Sequence, residues 1–535
     1  MSKIKDLVKI RIKSLNSDQL SLYKDMQSND LLQVCIPTGA GKGYLMMVDL
    51  LNQVVNTKNK IFAISSHRLM LNTQHMNDVF EILSPLIGKI GFVFVGSSKY
   101  DVDKFQDNIE FNKSLLKKHL SYNEIVGSTT NKKEVDKLVE GHIEAGRKVV
   151  ILSTYHSLHT LANVDIDTIY NDEAHTLASD GDTKFQDNFE QVSYERCFFL
   201  TATPKDCVED TETFLMNNFE VFGERVGLTF KHCVEMGYIV KPVIHIAIPS
   251  NLNYEKEFKS IKNMAKFVKE TFLAHKEFIA EKSFDPSKIA PKLLIKCPGV
   301  TEMWEIHAEL IGSIEGVKIC AGASRNDIGS FNHYIDNEGV PDRSDYLEIL
   351  QKFDEGQMVI ALHYDTMSEG INIQGFTGTE FLGGKLPTTT KTLQNTGRST
   401  RLHKFDRDRL ITKEISTSDY SNWVKPYCAV IIPYWDKESE FTKQELARQI
   451  KSLRDDFGYN PAFRVSIGSD MAKGETPEDM DALNQKNQKN KKFELIGEIR
   501  HEIELMDQAE IDLVEDERIN NMSVEEWFNY ANGLN

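Results

Sequence analysis

The segment Pro37-Thr38-Gly39-Ala40-Gly41-Lys42-Gly43 follows the apolar run Val34-Cys35-Ile36 and has the composition of a loop that cradles phosphate. Its glycines leave backbone N–H groups free of Cβ obstruction, and Lys42 would open a helix whose positive end faces the anion. Such loops ordinarily close with Gly-Lys-Ser or Gly-Lys-Thr, the hydroxyl holding Mg²⁺. Here Gly43 stands in that place. Mg²⁺ readily keeps several waters, so one more water can replace the hydroxyl while phosphate oxygens and Asp172 retain the ion. The segment reads as a working phosphate site with a weakened metal grip.

Three further stretches carry matching chemistry. Thr168-Ile169-Tyr170-Asn171-Asp172-Glu173-Ala174-His175 delivers two adjacent carboxylates at the end of an apolar strand, the edge of a parallel sheet where ligands bind. Asp172 suits a metal, and Glu173 suits the orientation and deprotonation of a water. Phe198-Phe199-Leu200-Thr201-Ala202-Thr203-Pro204 ends another strand in hydroxyls that can bond the acidic pair and relay its state. In Gln394-Asn395-Thr396-Gly397-Arg398-Ser399-Thr400-Arg401, the two arginines at i and i+3 share one helix face. Their guanidinium groups could stabilise charge on a transferring phosphoryl group.

The elements that must position these groups alternate in the α/β manner. Strands are predicted at Leu31 to Ile36, Lys60 to Ser65, Lys148 to Ser153, Thr168 to Asp172 and Arg196 to Thr201. A second series runs through Lys292 to Lys296, Val317 to Cys320, Met358 to Leu362 and Cys428 to Pro433. A lysine-rich amphipathic helix is predicted over roughly Tyr254 to Lys282, with the domain boundary near Lys241 to Asn253. The expected division is residues 1–243, with a charged helical insertion at about 104–147, then 244–470, a polar linker over 471–492, and an acidic helical tail over 493–535.

A chain of 535 residues, 40% of them hydrophobic, exceeds one ordinary core. No run of about 18 apolar residues occurs, and a soluble, cytoplasmic protein without a membrane partner is expected. The seven cysteines form no Cys-x-x-Cys pair and imply neither a disulfide framework nor a zinc ribbon. The net charge of −17 disfavours indiscriminate nucleic-acid binding. Residues 493–535 hold twelve acids against Arg500 and Arg518, so the tail carries −10 of that charge and leaves room for a basic groove elsewhere. The tail reads either as a helical cap on the second domain or as an element that binds a protein partner or restrains the protein itself.

In order and spacing these stretches resemble the superfamily 2 helicases and translocases of the DEAH/DExH type. The resemblance covers residues 15 to 435: Pro37 to Lys42 (motif I), Ser65 to Gln74 (Ia), Leu152 to Leu158 (Ib), Asp172 to His175 (II), Thr201 to Thr203 (III), Leu293 to Cys297 (IV), Ser368 to Asn372 (V) and Gln394 to Arg401 (VI). Phe230 to Val240 and Phe353-Asp354-Glu355-Gly356 are similar to the group of type I and III restriction motor subunits, XPB-like helicases and phage UvsW-type recombination helicases. The resemblance implies two tandem RecA-like parallel-sheet domains with a small helical acidic C-terminal extension, ATP and Mg²⁺ as cofactors, and nucleic acid, DNA in preference to RNA, along a cleft across both domains.

It further implies a role for each matched residue. Lys42 would contact the β and γ phosphates, and Asp172 and Glu173 would serve the metal and the attacking water. Gln394, Arg398 and Arg401 would sense and stabilise the γ phosphate. Gln19 would read adenine, while Gly370 and Asn372 would lie near the nucleotide. His175 would couple the sites together with Thr201, Ala202 and Thr203, and His67, Arg68, Ser153 and Thr154 would grip nucleic-acid backbone. Asn372 departs from the usual acid of motif V but keeps a hydrogen-bonding oxygen. The implied function is an ATP-dependent DNA helicase or translocase that unwinds, branch-migrates or remodels DNA in replication, recombination or repair. The alternatives are an RNA helicase and an ATP-gated nucleic-acid clamp with little turnover.

Overall fold

In the computed structural model the chain divides into two compact units at Ile239 and Val240. The structure describes residues 2–67, 69–96, 109–178, 183–206, 214–248, 260–322, 356–364, 375–382, 395–434, 440–458, 462–467 and 494–509.

The first unit is built on eight strands: β1 (Leu31–Cys35), β2 (Ile61–Ser66), β3 (Ile90–Val95), β4 (Val126–Thr129), β5 (Lys148–Thr154), β6 (Ile166–Asp172), β7 (Tyr194–Thr201) and β8 (Glu224–Gly227). They form one sheet in the order β4-β3-β5-β2-β6-β7-β1-β8, with every neighbouring pair parallel. Strands covered on both faces read as continuous apolar runs, and β3, Ile90-Gly91-Phe92-Val93-Phe94-Val95, is buried throughout. Four helices bear on the site: α1 (Ser2–Lys13), α2 (Ser17–Ser28), α3 (Lys42–Asn56) and α4 (Leu69–Leu83). Helix α2 opens on a reciprocal cap in which Asn16 accepts from Gln19 N and Gln19 Oε1 accepts from Asn16 N.

The second unit repeats the plan with β9 (Lys241–Ile248), β10 (Lys292–Lys296), β11 (Val317–Gly322), β12 (Met358–His363), β13 (Gly378–Phe381), β14 (Tyr427–Pro433) and β15 (Ala462–Ile467). Their order is β11-β12-β10-β13-β14-β9-β15, again parallel throughout. The lysine-rich helix runs over Ile261–Lys282, capped by Ser260, and buries Met264, Phe267, Val268 and Phe272.

Two features depart from the sequence reading. The stretch read as a boundary, from Lys241, is instead the strand β9, which pairs on both sides with β14 and β15. Pro242 lies at the start of that strand, before its pairing with β15 begins at Val243. The charged insertion is not purely helical: it supplies β4, the edge strand of the first sheet, and the helix Lys132–Glu144, which buries Val135, Val139 and His142. Its first residues, 104–108, lie outside the described residues.

The acidic extension is helical over 494–509. Leu495, Ile499 and Ile503 are buried at helical spacing. Its acids meet the basic side chains of the helix Glu440–Phe457: Arg454 donates to both oxygens of Asp507 at 2.7 and 2.6 Å, and Lys443 pairs with Glu498 at 2.6 Å. Residues 471–492 and the segment around Trp527 lie outside the described residues. Among the described residues, no helix is long and apolar enough to cross a membrane, and the six cysteines are free.

Candidate phosphate-binding site

The sheet order places β7 between β1, which feeds the glycine-rich loop, and β6, which ends in the acids. Cys35 of β1 stands opposite Thr201 of β7, and Leu200 stands opposite Asp172. Loop, hydroxyl and carboxylate therefore share one edge, where the carboxyl ends of parallel strands meet the N-terminus of α3.

Gly39 and Gly41 hold φ of 91° and 94°, the left-handed region that favours glycine. At Gly41 the need is double, since an added Cβ would lie 2.3 Å from Gln19 Nε2. Gln19 is buried; its Nε2 donates to the Ala40 carbonyl at 3.2 Å while its Oε1 caps α2. The amide therefore ties the loop to the start of α2. Pro37 carries the turn, its carbonyl accepting from Ala40 N at 3.1 Å, with Thr38 between them. Gly43 differs, because an added Cβ would meet nothing within 4 Å.

Lys42 sits at the centre. Its Nζ lies 2.8 Å from Asp172 Oδ1 and 3.0 Å from Glu173 Oε1. Burial by itself would lower the ammonium, but Asp172 and then Glu173 outweigh it and hold Lys42 above the usual lysine range. Burial would likewise raise the Asp172 carboxyl, yet Lys42 and then His75 hold it well below the usual carboxylate range. Glu173 adopts φ 55° and ψ 46°, a left-handed conformation that costs an ordinary side chain about 1 kcal/mol. The Thr176 hydroxyl donates to the Glu173 carbonyl at 2.9 Å and steadies that turn.

His175 joins this edge to the end of β7. Its Nδ1 is 2.9 Å from Thr201 Oγ1 and 3.5 Å from Glu173 Oε2. Thr201 Oγ1 also accepts from Thr203 N at 3.1 Å, across Ala202. Thus Lys42, Asp172, Glu173, His175 and the 201–203 turn, all singled out in the sequence, form one connected cluster.

Two members were not singled out. The Tyr155 hydroxyl donates to the Asp172 carbonyl at 2.6 Å, and His75 Nε2 lies 3.0 Å from Asp172 Oδ2. A signal for His75 existed: it precedes Met76, Val79, Phe80 and Leu83, the buried face of α4, so a polar ring there has to face something polar.

Other candidates fall elsewhere. Ser153 and Thr154 are buried at the end of β5, with Ser153 donating to the Thr154 carbonyl and Thr154 to Ser157. Each hydroxyl thus donates to a neighbouring residue of the same domain. His67 is half-buried. Arg68, Gly370, Asn372 and Gln394 lie outside the described residues. In the second unit Arg398 is buried in the helical stretch 395–399, with Arg401 just beyond. The buried Lys425 Nζ fixes that stretch by donating to the carbonyls of Phe376, Ser399 and Arg401, each at 2.7 Å.

The residues present suit Mg²⁺ with nucleotide phosphates. The donors are hard carboxylate oxygens, and Glu173 Oε2 is buried without a hydrogen bond. Among the described residues no group of three or more His, Cys, Asp or Glu could hold a metal alone. Mg²⁺ is ordinarily held by one or two carboxylates, phosphates and water, and Asp172 and Glu173 supply two carboxylates here.

Residues 12–206 match the family model described as type III restriction enzyme, res subunit. No curated protein sequence matches the chain. Among solved structures, the DNA-bound ATP-dependent type ISP restriction-modification enzyme LlaBIII is similar at 12% identity and a TM-score of 0.57, over 92% of this chain and 33% of that one. A putative HsdR subunit of a type I restriction enzyme from Vibrio vulnificus YJ016 aligns at 13% identity and a TM-score of 0.45, over 84% of this chain and 67% of that one. The Escherichia coli DEAH/RHA helicase HrpB aligns at 12% identity and a TM-score of 0.44, over 81% and 45%. The chain thus spans about a third of the length of LlaBIII.

Proposed function

We propose that this chain is a superfamily 2 helicase with tandem RecA-like domains, and that it couples ATP hydrolysis to movement on, or remodelling of, DNA. The observation that carries the reading is Lys42, held between Asp172 and Glu173 under the glycine-rich loop. An ammonium so placed can turn to the β and γ phosphates of an arriving nucleotide. Asp172 then becomes free for a divalent cation and Glu173 for water.

Glu173 would orient the attacking water and take its proton. Mg²⁺, held by Asp172 and the phosphates, would neutralise charge on the transferring group. His175, bridging Glu173 and Thr201, is placed to report the state of the acids to the 201–203 turn. Arg398 and Arg401 would stabilise the developing charge, and Gln394, Gly370 and Asn372 would complete the nucleotide contacts. Gln19 could read adenine with the second N–H of its amide, the first being given to Ala40. DNA is preferred because the matched family is a restriction-enzyme subunit and LlaBIII was solved bound to DNA.

Phosphate release by the purified protein, with and without duplex, forked and single-stranded DNA or RNA, tests this reading. DNA-stimulated turnover that vanishes in Lys42→Ala and Glu173→Gln is expected; turnover unchanged in either variant refutes it. Gly43 favours a second reading, an ATP-gated clamp with little turnover. ATP-dependent DNA retention without phosphate release would select it.

A further inference from the structure

We propose that His75 is a positioning residue for Asp172, occupying one carboxylate oxygen so that Asp172 meets a divalent cation through the other alone. The inference rests on the reading of Asp172 as the metal-holding carboxylate.

Asp172 is held at three atoms. The Tyr155 hydroxyl fixes its backbone carbonyl at 2.6 Å, Lys42 Nζ lies 2.8 Å from Oδ1, and His75 Nε2 lies 3.0 Å from Oδ2. His75 is 2% exposed, and neither ring nitrogen has a hydrogen-bond partner among the described residues. At 3.0 Å, Nε2 lies within reach of Oδ2, to which a small turn of the ring would let it donate. Burying an imidazole on the apolar face of a helix is costly unless a polar group faces it, and here that group is Oδ2.

The arrangement leaves Oδ1, beside Lys42, as the oxygen directed at the phosphate loop. Mg²⁺ demands near-octahedral geometry with single oxygens, whereas Ca²⁺ accepts a carboxylate through both. A tied Oδ2 makes Asp172 a single-oxygen ligand and so favours Mg²⁺. Gly43 makes this matter more: with no hydroxyl after Lys42, Asp172 is the side chain on which the ion's protein contact depends. Partners that orient a metal ligand typically change metal affinity by about 10- to 100-fold when removed.

The test uses the full-length protein and a fluorescent ATP analogue, with affinity read by anisotropy in Mg²⁺, in Ca²⁺ and in EDTA. For His75→Leu we expect about tenfold weaker binding in Mg²⁺, unchanged affinity in EDTA and a narrowed preference for Mg²⁺ over Ca²⁺. His75→Gln, whose amide can reach Oδ2, should restore most of the Mg²⁺ affinity, and the shorter His75→Asn should not. Wild-type Mg²⁺ affinity in His75→Leu, or an equal loss in EDTA, overturns the proposal. Should His75→Leu not fold, the Gln and Asn variants decide, and identical behaviour of the two overturns it. Lys42→Ala separates the two levels: if it still binds nucleotide normally, the phosphate-site reading itself fails, whereas its loss beside an unaffected His75→Leu defeats only the role of His75.

Discussion

The two units share one plan, a parallel sheet with the core on both faces, yet they arrange their buried charges differently. The first gathers acids: Asp172 and Glu173 surround the single ammonium of Lys42. The second buries cations and imidazole: Lys292, His363, Arg398 and Lys425 are each 2% exposed or less. His363 is pushed well below the usual histidine range by burial, then by Lys296 and Arg398. Two deeply buried acids lie in the same unit: Asp406, which accepts from Val424 N and Lys425 N, and Glu380, which is pushed up to about 8 by burial, against a hydrogen bond from Thr271. The lesson is that a repeated fold need not repeat its electrostatics: one sheet gathers carboxylates about an ammonium at its edge, the other holds positive charge in its interior.

The comparison breaks first at the chemistry. Arg401→Ala and Glu173→Gln should each lower ATP turnover by about a thousandfold, worth about 4 kcal/mol, while nucleotide still binds. Steady-state phosphate release beside analogue binding checks this, and a mild effect of Arg401→Ala would remove the catalytic meaning of the cationic unit.

Next in size is Lys425→Met, which strips three buried carbonyls of their donor. It should cost about 3 kcal/mol in urea unfolding. Unchanged stability would show that the ammonium supports nothing.

The third prediction concerns pH. Glu380 rises from an ordinary 4.5 to about 8, so the folded chain keeps a proton the unfolded chain loses. Its stabilising contribution is complete below about pH 4.5 and is lost as pH rises through about 8. Glu380→Gln should therefore flatten a decline of about 3.5 kcal/mol between pH 5 and 8, seen in thermal melts; a parallel decline in the variant would assign it elsewhere.

The smallest effect sharpens the acidic side. Gly43→Thr fits without a clash and should reduce the Mg²⁺ needed for half-maximal turnover about threefold, below 1 kcal/mol. An unchanged requirement would mean that the missing hydroxyl was never limiting.

Much of this was legible because phosphate chemistry needs its residues close together in the chain. The loop at Pro37 to Lys42, the acids at Asp172 and Glu173, and the turn at Thr201 are local motifs at strand ends, and strand order then brings them to one edge. Elements whose meaning depends on distant partners were not legible. β8 and β13 have four residues each, too few to show a period. β9 hid behind Pro242. His75, Lys425 and Glu380 look like ordinary polar residues until the fold shows them buried, and the partner of His75 lies far along the chain. The burial of Ser153 and Thr154 was equally hidden, since a hydroxyl at a strand end looks the same in sequence whether it is exposed or in the core.

The left-handed backbone at Glu173 has one more consequence. Glycine or asparagine would suit that conformation better, so the fold by itself favours replacing the residue on which turnover is proposed to depend. Variants of this chain selected for heat resistance alone should drift toward Glu173→Gly or Glu173→Asn and fall silent as they harden. A thermally improved lineage that keeps glutamate there would be carrying about 1 kcal/mol of strain for the sake of its reaction.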